Sequence, residues 1–283
     1  MTGLLLPIPR FAGHAFPMDW ASRVLVAADG RASSDAAIAV AWELAGRRTL
    51  DVVSVIKTTQ RDLLSRDARD ARAGVVASQI ERLIGQVPDG DTVIEAGSPP
   101  DVIATCARMR NASLLVVGMG ADVPRDRILG DENALAIGRR THTPLLAVSA
   151  HQTGRPRRIV VGMDFSEESL AACQVALDVV EPEGLIVLAR INEPSSRTAP
   201  SGALRRLADR VQTGFAGRVM ALEREGDPAN RLFDILREFR ADTIALGAHG
   251  QKTTMSAALG PVATRILRCA SSSVLLVPGA TSW

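Results

Sequence analysis

The sequence predicts an α/β protein: two tandem doubly wound parallel five-stranded sheet domains related by a pseudo-twofold. Three observations carry this. The chain has 283 residues, enough for two domains of ordinary size. Short, continuously apolar runs alternate with helical patterns, as strands covered on both faces require. The run Val24-Leu25-Val26-Ala27-Ala28-Asp29 returns as Ile159-Val160-Val161-Gly162-Met163-Asp164, an internal repeat.

The elements follow in order. Met1–Trp20 has no counterpart before the second half and is expected to be an appendage, residues 1–20. Domain 1 is expected over 21–150 and domain 2 over 159–279, joined by a polar linker over 151–158, His151-Gln152-Thr153-Gly154-Arg155-Pro156-Arg157-Arg158. At the offset of the first strands, 135 residues, Leu50-Asp51-Val52-Val53 falls on Leu185-Ile186-Val187-Leu188. Later the offset is 129, matching Glu95–Pro99 with Arg224–Pro228 and Leu114–Gly118 with Thr243–Gly247, so domain 2 is expected to lose six residues in between. Its strands are predicted at Ile159–Val161, Leu185–Ile191, Arg218–Leu222, Thr243–Leu246 and Val274–Val277. Asp227 and Pro228 read as the N-cap and first residue of a helix whose face is Leu232, Ile235, Leu236 and Phe239. Ser98-Pro99 opens its counterpart, with Ile103, Cys106 and Ala107. The helical region Leu63–Ile84, with Arg66, Asp67, Arg69, Asp70 and Arg72, reads as a solvated face of interleaved charges.

Composition excludes several classes. The formal net charge is +2 with the charges interspersed, so no footprint for nucleic acid or an anionic membrane surface is present. Six Phe, three Trp and no Tyr leave few stacking platforms. No apolar stretch approaches the roughly 18 residues of a membrane span, and Pro7 and Pro9 interrupt Leu4-Leu5-Leu6, so a cytoplasmic location is expected. Cys106, Cys173 and Cys269 lack C-x-x-C spacing, and His14, His142, His151 and His249 form no H-E-x-x-H pair, so metal chemistry is not indicated.

Ligands of such sheets bind beyond the carboxyl ends of the strands, where strand order reverses. After the fourth strand of domain 2 stand Gly247-Ala248-His249-Gly250, nine residues Gln251–Leu259, then Gly260-Pro261 opening a helix. Glycines admit close backbone approach, and a helix N-terminus suits phosphate. Lys252 is one of only two lysines in the chain. No G-x-G-x-x-G follows either first strand and no G-K-[ST] exists, so neither a dehydrogenase nor a P-loop enzyme is indicated. Nothing around His249 in the motif supplies a catalytic partner. Asp29 and Asp164, ending the first strands, either meet a ligand or cap the first helix. Arg190, unusual inside an apolar strand, is expected to make a partly exposed ion pair, with Asp164 or a phosphate as possible partners.

These loops resemble the universal stress protein family, whose ATP-binding members carry G-x-x-G, nine residues, then G-[ST]. The resemblance covers about Ala21 to Pro278 as two copies. It implies an adenine-nucleotide α-hydrolase-like fold, a site in domain 2 at Asp164, Arg190, Gly247, His249, Gly250, Lys252, Gly260 and Pro261, and contact of Asp29 and Asp164 with the nucleoside. Pro261 departs from the family's hydroxyl residue and has neither a hydroxyl nor an N–H for phosphate. Domain 1 departs further. Gly118, Gly120 and Gly130 fit only with a deletion, and without one Asp131 replaces the last glycine; Asp122, Asp126 and Glu132 add repulsion. The implied function is a stress-response regulator binding ATP or another adenine nucleotide weakly in domain 2 only, with no metal beyond nucleotide-bound magnesium. It is expected not to be an enzyme, slow ATP hydrolysis apart, and to act on an unknown protein partner. A nucleotide-free interaction module and, less favoured, a nucleotide-using enzyme are the alternatives. The family commonly dimerises through its last strand, which implies an intramolecular pseudo-dimer joined by Leu145–Val148 and Val274–Val277, with a homodimer also possible.

Overall fold

The computed structural model describes residues 23–46, 50–58, 65–86, 88–119, 127–192, 202–250 and 259–279, with 127–132 as backbone only. Domain 1 runs β1 (Val24–Ala27), α1 (Asp35–Leu44), β2 (Leu50–Lys57), α2 (Arg66–Ile84), β3 (Thr92–Gly97), α3 (Pro99–Met109), β4 (Leu114–Gly118), α4 (Arg127–Gly138) and β5 (Leu145–Val148). Domain 2 runs β6 (Arg158–Gly162), α5 (Glu167–Val179), β7 (Leu185–Asn192), α6 (Ala203–Gly214), β8 (Arg218–Glu225), α7 (Pro228–Glu238), β9 (Thr243–Gly247), α8 (Pro261–Cys269) and β10 (Ser273–Val277). The predicted appendage lies outside the described residues, as do Gly120 and Lys252.

The strands form one ten-stranded sheet, in the order β3-β2-β1-β4-β5-β10-β9-β6-β7-β8. All neighbours are parallel except β5 and β10, which pair antiparallel with Leu146 opposite Leu275. Those two leucines are equivalent at the offset of 129, so a pseudo-twofold axis normal to the sheet passes between them. The junction expected between Leu145–Val148 and Val274–Val277 is this ladder.

Apolar strands separate two helical layers, each shared by both domains. Strand residues such as Val24, Val26, Ile159 and Val161 point to α1, α2, α5 and α6, where Ile38, Ile80, Ala172 and Leu207 receive them. Leu25, Leu115, Val160 and Leu246 point to α3, α4, α7 and α8, meeting Ile103, Leu135, Leu232 and Ile266. Burial on both faces explains the absence of polar alternation in the sequence.

Strand pairing corrects the repeat register. Val24 pairs with Leu50 and Ile159 with Ile186, so Leu50 corresponds to Ile186, at an offset of 136. The layers agree: Leu50 and Ile186 share the α1/α5 side, whereas Leu185 packs on the other. A one-residue slip would turn every side chain of the strand over. Domain 2 therefore gains one residue before β7 and loses seven before β8.

The linker is bound along its length. Arg155 donates from its side chain to the carbonyls of Asp178, Val179 and Val180, closing the end of α5. Its backbone N–H donates to Glu43 of domain 1 at 3.1 Å, and those of Arg157 and Arg158 donate to Asp242. Arg158 already belongs to β6.

Candidate functional site

Strand order reverses between β6 and β9 in domain 2 and between β1 and β4 in domain 1, and the carboxyl ends of such pairs are where sheets of this kind bind ligands. In domain 2 the chain leaves β6 through Asp164, Phe165 and Ser166. One oxygen of Asp164, Oδ1, accepts from the Ser166 N–H at 2.9 Å and from the Ser166 hydroxyl at 2.5 Å. Ser166 in turn caps α5, accepting from the Ser169 N–H at 3.1 Å. Asp164 thus does position the helix cap, while its other oxygen, Oδ2, faces Gly250: a Cβ there would lie 2.9 Å from it.

The glycines divide by role. A Cβ on Gly247 would come within 2.6 Å of Glu168 Cβ and 2.9 Å of its backbone, so this glycine admits the first turn of α5. Gly118 is crowded in the same way by Ser33 O at 2.1 Å. Both positions are explained by helix packing alone. Gly250 and Gly260 instead shape the crevice. Gly260 is the N-cap of α8, with Pro261 at its first position, and its N–H donates to Ala248 O at 2.8 Å. This bond folds residues 248–250 against the helix start. His249 stands between them, its Nε2 buried and without a hydrogen-bond partner, a donor or acceptor that native interiors seldom leave unused.

Arg190 departs from expectation. It is 8% exposed, and its Nε donates to Asn192 Oδ1 at 2.9 Å. Its guanidinium carbon lies 5.3 Å from the Phe165 ring centroid. Expected to be partly exposed, Arg190 is buried, with an amide and a ring among its partners, surroundings that suit a planar, weakly hydrated cation. Phe165 was not singled out from the sequence. It adopts φ +62°, a conformation that glycine takes freely and phenylalanine rarely. Its counterpart in domain 1 is Gly30, at φ +77°.

Domain 1 arranges the same place differently. The Asp29 carboxylate accepts from the Arg31 N–H and from the hydroxyls of Ser33 and Ser34. Arg72 on α2 reaches back to the Asp29 carbonyl at 2.6 Å, and Gln79 donates to Arg31 O, Ser34 and Asp35. Arg72 is therefore a tether between α2 and the β1 loop; Arg66 and Asp70, 4.0 Å apart and 94% and 73% exposed, do form the solvated pair expected of that face. The helix start differs too. The offset of 129 holds through β4, β5, β9 and β10, so Asp131 is the equivalent of Gly260, yet α4 already begins at Arg127. Asp131 and Gly130 both lie inside that helix, more than a turn from where α8 presents its capped end.

The model of the universal stress protein family matches residues 21–149 and again 156–278. The chain belongs to this family. Among solved structures, a universal stress protein from Archaeoglobus fulgidus is 18% identical, with a TM-score of 0.70, covering 93% of this chain and 100% of that one. A putative universal stress protein from Pseudomonas aeruginosa is 15% identical, with a TM-score of 0.57, covering 92% and 94%. These likenesses concern the fold. No curated protein matches.

Of the residues expected in the site of the second universal stress domain, the structure gathers Asp164, Gly250 and Gly260 with Pro261, and seats His249 beside them. Gly247 lies one step back, under α5. Among the described residues no group of three or more His, Cys, Asp and Glu is placed to hold a metal ion, and no helix is long and apolar enough to cross a membrane.

Proposed function

We propose that domain 2 binds ATP or another adenine nucleotide weakly and that this binding regulates an interaction with a protein partner, as a cytoplasmic stress-response module. One observation carries the reading: at the β6/β9 switch point, a carboxylate, a glycine whose Cβ would lie 2.9 Å from it, and a helix N-terminus come together, next in sequence to a histidine whose Nε2 is buried without a partner. The carboxylate suits a nucleoside donor, and the helix start suits phosphate. Magnesium would enter only with the nucleotide. Domain 1 contributes no second site, because α4 carries its helix start past the position that α8 presents.

Calorimetric titration of the whole chain with ATP tests this. The expected result is one site per chain, abolished by Gly250→Asp, whose Cβ would lie 2.9 Å from Asp164 Oδ2 and which adds a like charge beside that carboxylate. Recovered ATP should be intact. Two equal sites would assign binding to both domains, and no heat at any concentration would favour an interaction module without nucleotide.

A further inference from the structure

Helix α2 holds the β1 loop of domain 1 with one face. Arg72, Val75, Gln79 and Arg82 follow one another at helical spacing, and they meet that loop in order. Arg72 donates to the Asp29 carbonyl at 2.6 Å, Val75 lies over Gly30, Gln79 donates to the Arg31 carbonyl at 2.7 Å, and Arg82 pairs with Asp35 at 3.0 Å. From Val76 onward the helix is anchored in the core, Val76 and Ile80 sharing a cluster with Val26 and Val52. Before Arg72 it is not: Arg66–Ala71 are all exposed, and Arg66 pairs with Asp70 inside the helix. The first two turns thus overhang the domain, and Arg72 is the side chain that ties them down.

Domain 2 starts its equivalent helix later. Buried positions recur at the same spacing, Val76, Gln79 and Ile80 in α2 and Leu204, Leu207 and Ala208 in α6. Gly74 and Gly202 therefore coincide, each two residues before the first of them. At Gly202 the backbone is left-handed, with φ +73°, and α6 begins at the next residue. At Gly74 the helix runs on through it. A glycine inside a helix weakens it, and packing gives no reason for one here: a Cβ on Gly74 would meet nothing within 4 Å. What glycine supplies at this point is a backbone able to take the conformation of Gly202.

We infer that Gly74 is a hinge in α2 and that Arg66–Ala73 is a strap on domain 1. In the closed form the helix is continuous and Arg72 holds the Asp29 carbonyl. In the open form α2 starts at Val75, as α6 starts at Ala203, while Val75 and Gln79 keep the β1 loop seated. A detached segment this short does not hold a helix in water, so the strap unwinds as it leaves. It covers or bares the chain leaving β1, on one side of the β1/β4 switch point. Opening is local because it gives up exposed turns and one long-range side-chain bond, with the core untouched.

Hydrogen exchange resolved by residue in the whole chain tests this. Starting α2 at Val75 takes the acceptors Ser65–Ala73 away from the amides of Arg69–Ala77 and leaves Ser78 bonded to Gly74, as Arg206 is to Gly202. Arg69–Ala77 should therefore exchange through one shared opening, with protection stepping up at Ser78. Gly74→Ala should slow that group about fivefold. Arg72→Met, which keeps helix propensity but not the charged bond, should speed it about tenfold. Neither variant should change the amides of Ile80–Ile84. Protection that climbs evenly along the helix, with no step at Ser78, would mean ordinary fraying of an exposed end and overturn the hinge. So would a Gly74→Ala chain that exchanges at the unmodified rate. Equal acceleration of Ile80–Ile84 in Arg72→Met would assign that arginine to global stability and overturn the strap.

Discussion

In the proposed nucleotide site, Pro261 is the residue on which the phosphate end turns. It opens α8 behind Gly260, so the N–H that a helix start would offer first is missing, and no hydroxyl replaces it. Pro261→Ser restores both donors. Each charge-assisted bond contributes about 1.5–3 kcal/mol, offset in part by the loss of a residue preorganised for the first helical position. ATP affinity should rise about tenfold and adenosine affinity stay level, as read by calorimetry; equal gains for both ligands would assign the effect to fold stability. At the opposite end of the sheet, burial pushes the Asp178 carboxyl up to about 6, with Arg155 pulling the other way. A carboxyl with a raised folded pKa favours the folded state fully below its unfolded value near 4, and this support disappears as pH climbs through 6. Asp178→Asn leaves intact the backbone carbonyl that Arg155 uses. It should stabilise the protein by about 1–2 kcal/mol at pH 7 to 8 and flatten the fall in stability between pH 4 and 6, as measured by denaturant melts. At this scale the sequence revealed which loops matter but not how their residues act. Glycine at 247 and at 250 looks the same in a motif, although one admits a helix and the other faces a carboxylate. Phe165 carries no sign of its positive φ, because the turn that imposes it is built by neighbours.

Helix starts were legible where a side chain does the capping. Asp227 accepts from the Asn230 N–H and from Arg265 of α8, both at 2.9 Å, so it both caps α7 and ties α7 to α8. Ser98 occupies the matching N-cap of α3 with no side-chain bond. Asp227→Ala should therefore cost about 1–2 kcal/mol, lowering the melting temperature by roughly 2–8 °C, while Ser98→Ala should be nearly silent. Equal shifts would show that the serine bonds in solution. The start of α4 was not legible: Asp126 precedes it, but no proline follows as in Asp227-Pro228 or Gly260-Pro261. The slip of one residue at β7 escaped for a related reason. In strands buried on both faces, Leu185, Ile186, Val187 and Leu188 are interchangeable to a hydropathy pattern, and only pairing with β6 separates them. The outer edge of β8 ends Glu223-Arg224-Glu225, charges that discourage further strands from joining the sheet.

The whole molecule is a sheet closed at its centre by its own symmetry. Leu146 facing Leu275, with Leu145 opposite Leu276 and Ala147 opposite Val274, is the pairing that two identical last strands would make, because residues opposed across an axis normal to the sheet must share a face. β5 is therefore a stand-in for a second β10. Deleting domain 1 and starting the chain at Arg157 would leave Ser273-Val274-Leu275-Leu276-Val277 as a bare apolar edge, an arrangement prone to pair with another chain. Such a fragment should form a homodimer through β10, centred on Leu275 with Val274 opposite Leu276. α8, which packs on α4 in the intact chain, would then meet its own copy. Sedimentation equilibrium decides the outcome. A folded fragment that stays monomeric at high micromolar concentration would mean that the junction depends on features of domain 1 lying outside the ladder, such as the Glu43 contact with the Arg155 backbone. A dimer that loses its association when β5 is supplied as the intact domain 1 would show that the two halves compete for one edge, with the covalent link winning because it raises the effective concentration of the correct partner.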